Sequence, residues 1–281
     1  MRLPGYFLLF VATITASPDI VSNANALYQH TEYESSLHAL AQDHAPGASN
    51  YLLTGKNYFM LGDYKKAVDF FEKALAASPT SSEVELWLGR AWGRRAEGGS
   101  PFAIIYAGRT RQCFEKAVAL DPHNREAKND LFDFYLNAPG VLGGGLDKAD
   151  AAAKSIATER PVEYEFEEAQ IAEKRNDFVT VETHLRRAVE LAPAESGRIV
   201  DLARFLAKRG RLEESDKLFA QAIKLSPNKP GVAFAEARTD IENHRNMEQA
   251  RKLLLGYLQA SLTPDDPPRH EAEKLLQRAG G

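Results

Sequence analysis

The sequence predicts an all-α chain built as a helix-turn-helix solenoid. Three observations predict it. Ala169, Ala203 and Ala237 recur at intervals of 34 residues, and so do the pairs Phe178 and Leu212, Leu185 and Phe219, Ala188 and Ala222, and Pro193 and Pro227. Within each interval large and small residues alternate at helical spacing, as in Tyr51, Gly55, Tyr58, Ala67, Phe71 and Ala74. A proline marks the end of the second helix of most units, at Pro79, Pro122, Pro161, Pro193 and Pro227, where it lacks the amide a continuing helix needs. Such a period denotes supersecondary units stacked in one dimension, each too small to bury its apolar face alone.

Residues 1–16 read as an export signal. Met1-Arg2-Leu3-Pro4 precedes an apolar run from Gly5 to Ala16, shorter than the ~20 residues of a bilayer span and of the length of a signal-peptide hydrophobic region. Cleavage is expected after Ala16, with Ala24-Asn25-Ala26 as a more distant option. The chain is therefore expected to be exported, periplasmic or secreted, and cytoplasmic only if this run is not a signal. No cysteine follows the run to take a lipid anchor, and no integral membrane span is expected after its removal.

Residues 17–47 read as a degenerate helical pair with Leu27, Tyr33, Leu37 and Leu40 at its apolar positions. Residues 48–265 hold about six repeats. The first turns at Gly62-Asp63-Tyr64. The second repeats Gly55 as Gly89 and Tyr58 as Trp92, but Phe114, Ala117 and Pro122 lie 43 residues after Phe71, Ala74 and Pro79. Nine residues have thus been added between its helices, near 97–105. The third carries Leu131, Phe132 and Tyr135, then a second surplus near 138–146, then Ala149 and Pro161. The fourth and fifth, about 162–195 and 196–229, are regular, and the sixth starts at Pro230 with Ala250, Leu254 and Tyr257 on its second helix. Residues 266–281 read as a capping helix whose polar outer face ends the stack.

The series Tyr51, Gly55, Tyr58, Gly62-Asp63-Tyr64, Ala67, Phe71, Ala74 and Pro79 resembles the tetratricopeptide repeat (TPR). The resemblance covers residues from about 20 to 265. It implies two antiparallel helices per unit, packed through a small residue on each, and a right-handed superhelix lined mainly by the first helices. Together, the two surplus stretches resemble those of uncharacterised, mostly bacterial exported TPR proteins with a Gly-rich inserted turn, a likeness that implies no activity.

Composition and motifs narrow the function. With 35 Lys+Arg against 39 Asp+Glu and a pI near 6.0, the chain lacks the basicity of a nucleic-acid binder, and no such partner is expected. The single Cys113 permits no internal disulfide or thiolate zinc cluster and reads as a buried small apolar residue. Gly143-Gly144-Gly145 precedes Lys148 but lacks the Gly-Lys-Ser/Thr end of a phosphate loop. His270-Glu271 opens like a zinc-protease helix, yet Lys274 stands where the second imidazole belongs. Glu163, Glu165, Glu167 and Glu168 fan over different helix faces and read as a solvated face near a helix start. No catalytic residue, metal, cofactor or small-molecule substrate is expected.

Helical spacing names an inner groove of Leu52, Lys56 and Phe59, then Leu86, Arg90 and Arg94, then Phe166, Arg204, Phe234 and Arg238 along successive first helices. Apolar anchors alternating with cations suit an extended or helical peptide whose carboxylates meet Lys56, Arg90, Arg94 or Arg204. Turns between the helices of adjacent pairs emerge on one edge, so the two surplus stretches are expected to be neighbours. There Arg94, Arg95, Phe102, Tyr106 and Arg109 would face Gly143, Gly144 and Gly145 as a second partner-binding surface. The expected function is a non-catalytic scaffold or adaptor in the cell envelope that binds a protein or peptide through the groove. The alternative is a constitutive assembly or regulatory subunit of an envelope enzyme or secretion complex.

Overall fold

The computed structural model describes residues 18–97 and 101–280. The predicted export signal lies outside the described residues, as do Gly98, Gly99 and Ser100 of the first surplus stretch. The described residues form fifteen α-helices and one 3-10 turn, with no strand among them. The helices pair in chain order: α1 (Pro18–Gln29) with α2 (Tyr33–Leu40), α3 (Ala48–Met60) with α4 (Tyr64–Ala77), α5 (Ser82–Glu97) with α6 (Ala103–Leu120), and α7 (Arg125–Asn137) with α8 (Leu146–Ile156). Then follow α9 (Pro161–Lys174) with α10 (Phe178–Leu191), α11 (Ser196–Lys208) with α12 (Leu212–Leu225), and α13 (Pro230–Glu242) with α14 (Met247–Gln259). The last helix is α15 (Arg269–Gly280). Each pair packs on the next, and first helices also touch, α3 on α5, α5 on α7 and α11 on α13.

The recurring chemistry sets the recurring turn. Asp63 and Asp177 cap α4 and α10 by accepting from the amides of Lys66 and Thr180, each at 3.1 Å. Gly62 and Gly210, at φ of +80° and +76°, end α3 and α11 in the left-handed conformation that a β-carbon disfavours. Pro161 opens α9 rather than closing α8, which already ends at Ile156; its fixed φ suits a first helical position.

Packing follows the small-on-large alternation. A β-carbon at Gly55 would stand 2.5 Å from the Phe71 ring, and one at Gly89 would stand 2.6 Å from the Phe114 ring. Ala67, Ala74, Ala117, Ala203, Ala222, Ala237 and Ala250 are fully buried at equivalent contacts. The core is segmented, each cluster joining neighbouring pairs, as where Phe71 meets Leu88, Ala91 and Trp92. At the C-terminal end, α15 sets Ala272 and Leu275 into a cluster with Phe234, Ile241, Leu254 and Tyr257.

The two surplus stretches fold differently from each other. Much of the first lengthens helices, since α5 and α6 have 16 and 18 residues where α3 and α4 have 13 and 14. The second is a tight turn: Pro139, a 3-10 turn over Gly140–Leu142, then Gly143 and Gly145 at φ of +89° and +131°. A β-carbon at Gly144 would fall 1.9 Å from the Ala138 carbonyl oxygen, and the Gly145 amide donates to the Tyr135 carbonyl at 2.8 Å.

The acidic start of α9 corrects the expectation of a solvated face. None of its four glutamates is exposed, and Glu167 is only 2% accessible. Carboxylates that fan around a helix packed on two neighbours cannot all reach water. Glu165 meets His184 at 2.6 Å, Glu163 lies 3.6 Å from Arg160, and Glu167 Oε2 has no hydrogen-bond partner.

Candidate functional site

The concave surface holds a cavity of about 1300 Å³. Its wall comes from α3 and α5, which present Lys56, Phe59, Trp87, Arg90 and Arg94. Trp87 lines it, with the Lys56 ammonium 5.0 Å and the Arg90 guanidinium 4.8 Å from the ring centroid. Phe59 stands edge-on to Trp87 at 5.4 Å and to Tyr64 at 5.4 Å, and Arg94 covers the Tyr64 ring. The opposite wall is the C-terminal segment, where Pro264, Asp265, Asp266, Pro268, His270 and Glu271 line the same space.

The groove cations are engaged within the chain. Lys56 Nζ lies 2.5 Å from Glu83. Arg90 grips Asp130 through Nε at 2.5 Å and Nη2 at 3.2 Å, and reaches Glu126 at 3.0 Å. Arg94 meets Glu97 at 2.7 Å and donates to the Tyr64 hydroxyl at 3.2 Å. With Asp265, Asp266 and Glu271 opposite, the cavity carries no surplus of positive charge.

The groove residues named from helical spacing therefore separate. Lys56, Phe59, Arg90 and Arg94 share the cavity, and Leu52 packs partly buried beneath it. Leu86 also borders the cavity, although at 2% exposure most of its side chain packs inward against Phe114 and Ala127. Phe234 is corrected: at 3% exposure it faces inward against Tyr257 at 5.0 Å. Phe234 points between helices because a packed first helix turns part of its apolar stripe to its partner and neighbour. Phe166 and Arg204 line a separate recess of about 240 Å³ with Asp201 and Lys208. Arg198 lies 3.9 Å above the Phe166 ring, and Arg238, further along, pairs with Glu242 at 2.8 Å. The spacing argument missed Trp87, although it sits one residue beyond Leu86. It also missed the C-terminal wall, for which no local signal exists.

At the inserted edge, Arg95 is held between the rings of Trp92 and Tyr106, at 4.7 and 4.5 Å, and donates to the Tyr106 hydroxyl at 2.9 Å. Arg109 lies 5.3 Å from the Trp92 ring, and Phe102 packs on Tyr106 at 6.2 Å. The Gly-rich turn abuts α6: a β-carbon at Gly143 would stand 2.9 Å from the Arg111 side chain. Gly144 and Gly145 face their own turn instead. Cys113 lies beneath in the core, where burial, together with Glu85, raises its thiol to about 12.

The tetratricopeptide repeat pattern matches residues 48–81, which are α3, α4 and their flanks, and matches residues 199–229 in the fifth repeat. The chain carries tetratricopeptide repeats. A TPR protein of Parabacteroides merdae is similar across 94% of this chain and 98% of its own, with a TM-score of 0.59 at 12% identity. A thermophilic TPR protein of Thermus thermophilus is similar over 67% of this chain and 97% of its own, with a TM-score of 0.54 at 17% identity. A chain of the APC/C hetero-tetramer Cut9–Hcn1 is similar over 93% of this chain and 49% of its own, with a TM-score of 0.51 at 17% identity. At these identities the likeness is one of fold. No protein of curated function matches the sequence. TPR arrays are in general non-catalytic interaction scaffolds that bind protein partners on extended concave surfaces. Among the described residues, no helix is long and apolar enough to cross a membrane.

Proposed function

We propose that this TPR solenoid is an adaptor of the cell envelope that holds a segment of a partner protein in the cavity between α3, α5 and the C-terminal segment. The observation that carries the reading is the aromatic wall: Phe59, Tyr64 and Trp87 converge on one open space, with Trp87 flanked by two cations. Aromatic anchors in a concave pocket supply most of the energy of such interfaces. Because Lys56, Arg90 and Arg94 are already paired, an acidic ligand would have to displace Glu83, Asp130 and Glu97. A segment with one aromatic or aliphatic anchor and mixed charge fits better than a peptide that relies on its carboxylates to meet these cations, as the sequence suggested.

The apolar run from Gly5 to Ala16 supports placement in the envelope. Mass spectrometry of the N-terminus from fractionated cells tests this, and an intact Met1 in the cytoplasmic fraction would refute it. The groove is tested by capture from envelope extract with the full chain as bait, with cross-links mapped to residues. Trp87→Leu keeps an apolar side chain but removes the aromatic centre and should lose the partner; Lys56→Ala/Arg94→Ala should keep it. The reverse pattern would replace this reading with charge-selected binding. A partner kept by both variants would remove the cavity from the interface.

A further inference from the structure

Of the nine large hydrophobic side chains exposed among the described residues, six lie at the turns between the two helices of a pair: Leu61, Phe102, Ile104, Ile105, Val141 and Val179. These turns belong to four consecutive pairs, α3/α4 to α9/α10, and emerge on one edge of the solenoid. Val141, at the tip of the Gly-rich turn, is 94% exposed, Val179 is 80% and Ile104 is 72%. Ile104, Gly108 and Arg111 lie at helical spacings of four and three on α6, so Ile104 shares the face against which the Gly-rich turn abuts. Neighbouring units of a solenoid stand about 10 Å apart, so these side chains form a row rather than one compact patch.

Cations accompany the row. Lys65, Arg95, Arg109 and Arg175 stand at the same turns, and none has a carboxylate partner among the described residues. Some acids of this edge are paired within the chain, Asp63 with Lys66, Glu97 with Arg94 and Glu173 with Lys208, while Asp147 and Asp177 at the last two turns have no cation partner among the described residues. Cations thus outnumber acids at the first two of these turns, on a chain of formal charge −4.

We propose that this edge docks on an anionic lipid surface, with the exposed aliphatic side chains entering the headgroup and acyl boundary and the neighbouring cations meeting lipid phosphates. Separated aliphatic side chains on protruding turns find no shared pocket in a protein surface, whereas a bilayer interface accepts each one singly. Cations between them that lack a carboxylate partner complement anionic headgroups. Leu61 also borders the concave cavity, but Ile104, Ile105, Val141, Arg109 and Arg175 lie outside its lining, so variants there test the edge independently of the function proposed above.

The test is co-sedimentation of the full chain with vesicles of phosphatidylcholine alone or with added phosphatidylglycerol. Binding is expected on the anionic vesicles, weakening with salt, and falling about tenfold or more in Ile104→Ser/Ile105→Ser/Val141→Ser. Arg109→Gln/Arg175→Gln should cost about tenfold. The apolar N-terminal run is common to all these chains, so the differences report the edge. A fluorophore placed by Val141→Cys should shift to the blue on anionic vesicles alone, since the native Cys113 is buried. Circular dichroism checks that the variants fold. Equal binding by parent and variants, or no shift at position 141, would overturn the proposal. So would an absence of vesicle binding together with self-association lost in the Ile104→Ser/Ile105→Ser chain, which would make the edge an interface between copies.

Discussion

Glu167 shows what a single carboxyl meets when a helix start is packed on both sides. Burial first, and the neighbouring Glu163 second, raise it to about 8 from an ordinary 4.5. Asp133 is raised to about 6 by burial and by Asp130 and Glu163. A carboxyl raised on folding keeps a proton that the unfolded chain has released, so stability falls as pH climbs from the unfolded value through the folded one. For Glu167 that window runs from 4.5 to about 8. Glu167→Gln, which cannot ionise, should be near neutral at about pH 5 and stabilising by about 2 kcal/mol or more at about pH 9, read from urea midpoints. A constant difference across pH would show that the carboxyl is ionised in the fold. The glycines of the first helices carry an opposite lesson. Gly55 leaves no room for a methyl against Phe71, so Gly55→Ala should destabilise by about 1–3 kcal/mol despite the better helix propensity of alanine. An increase in the urea midpoint would mean that the Phe71 ring moves aside without cost.

At the scale of elements, helix pairs are positioned by their turns and ends. Gly144 lies so close to the Ala138 carbonyl that any side chain must displace backbone. Gly144→Ala is therefore expected to open the turn between α7 and α8, raising amide exchange over residues 138–148 while the N-terminal repeats keep their protection. Unchanged exchange there would refute the close approach. The cap α15 works through two side chains, Ala272 and Leu275, that close the apolar cluster around Tyr257. The Tyr257 hydroxyl also donates to the Pro267 carbonyl, and Arg269 donates to the carbonyls of Leu258 and Ala260, fixing the segment that leads into the cap. Leu275→Ser should cost about 2 kcal/mol in that cluster.

Across the whole molecule, the contacts run between neighbouring pairs, so stability is a sum of units and interfaces rather than one global core. The Leu275→Ser chain should accordingly lose amide protection in α13 and α14 while α3 to α6 keep theirs. A uniform loss would mean that the array unfolds as one body. The superhelical path has a second consequence. It carries Asp265 and Glu271 round to face Arg90 and Arg94, more than 160 residues earlier in the chain, and turns an open groove into a two-walled cavity.

The repeat was legible because its physics is local. Gly55 and Gly89, Ala203 and Ala237, Phe178 and Leu212 recur at 34 because each unit must present the same small-on-large contact to its neighbour. The two surplus stretches were legible for the same reason, as breaks in that count. The site was only partly so. Spacing brought Lys56, Phe59, Leu86, Arg90 and Arg94 together, but Phe234 obeys the same period and is buried against Tyr257 instead. A hydrophobic period does not say which part of the apolar stripe meets a neighbour and which meets water. Nor does it show that each groove cation has a carboxylate within reach, since Asp130 lies 40 residues beyond Arg90. The sequence alone determined the helical unit and its small-on-large contact, because those are set by residues within and between adjacent units. Only the tertiary structure decided the charge state of the groove, the burial of Glu167 and the closing wall of the cavity, because each depends on residues brought together by the accumulated rotation of the stack.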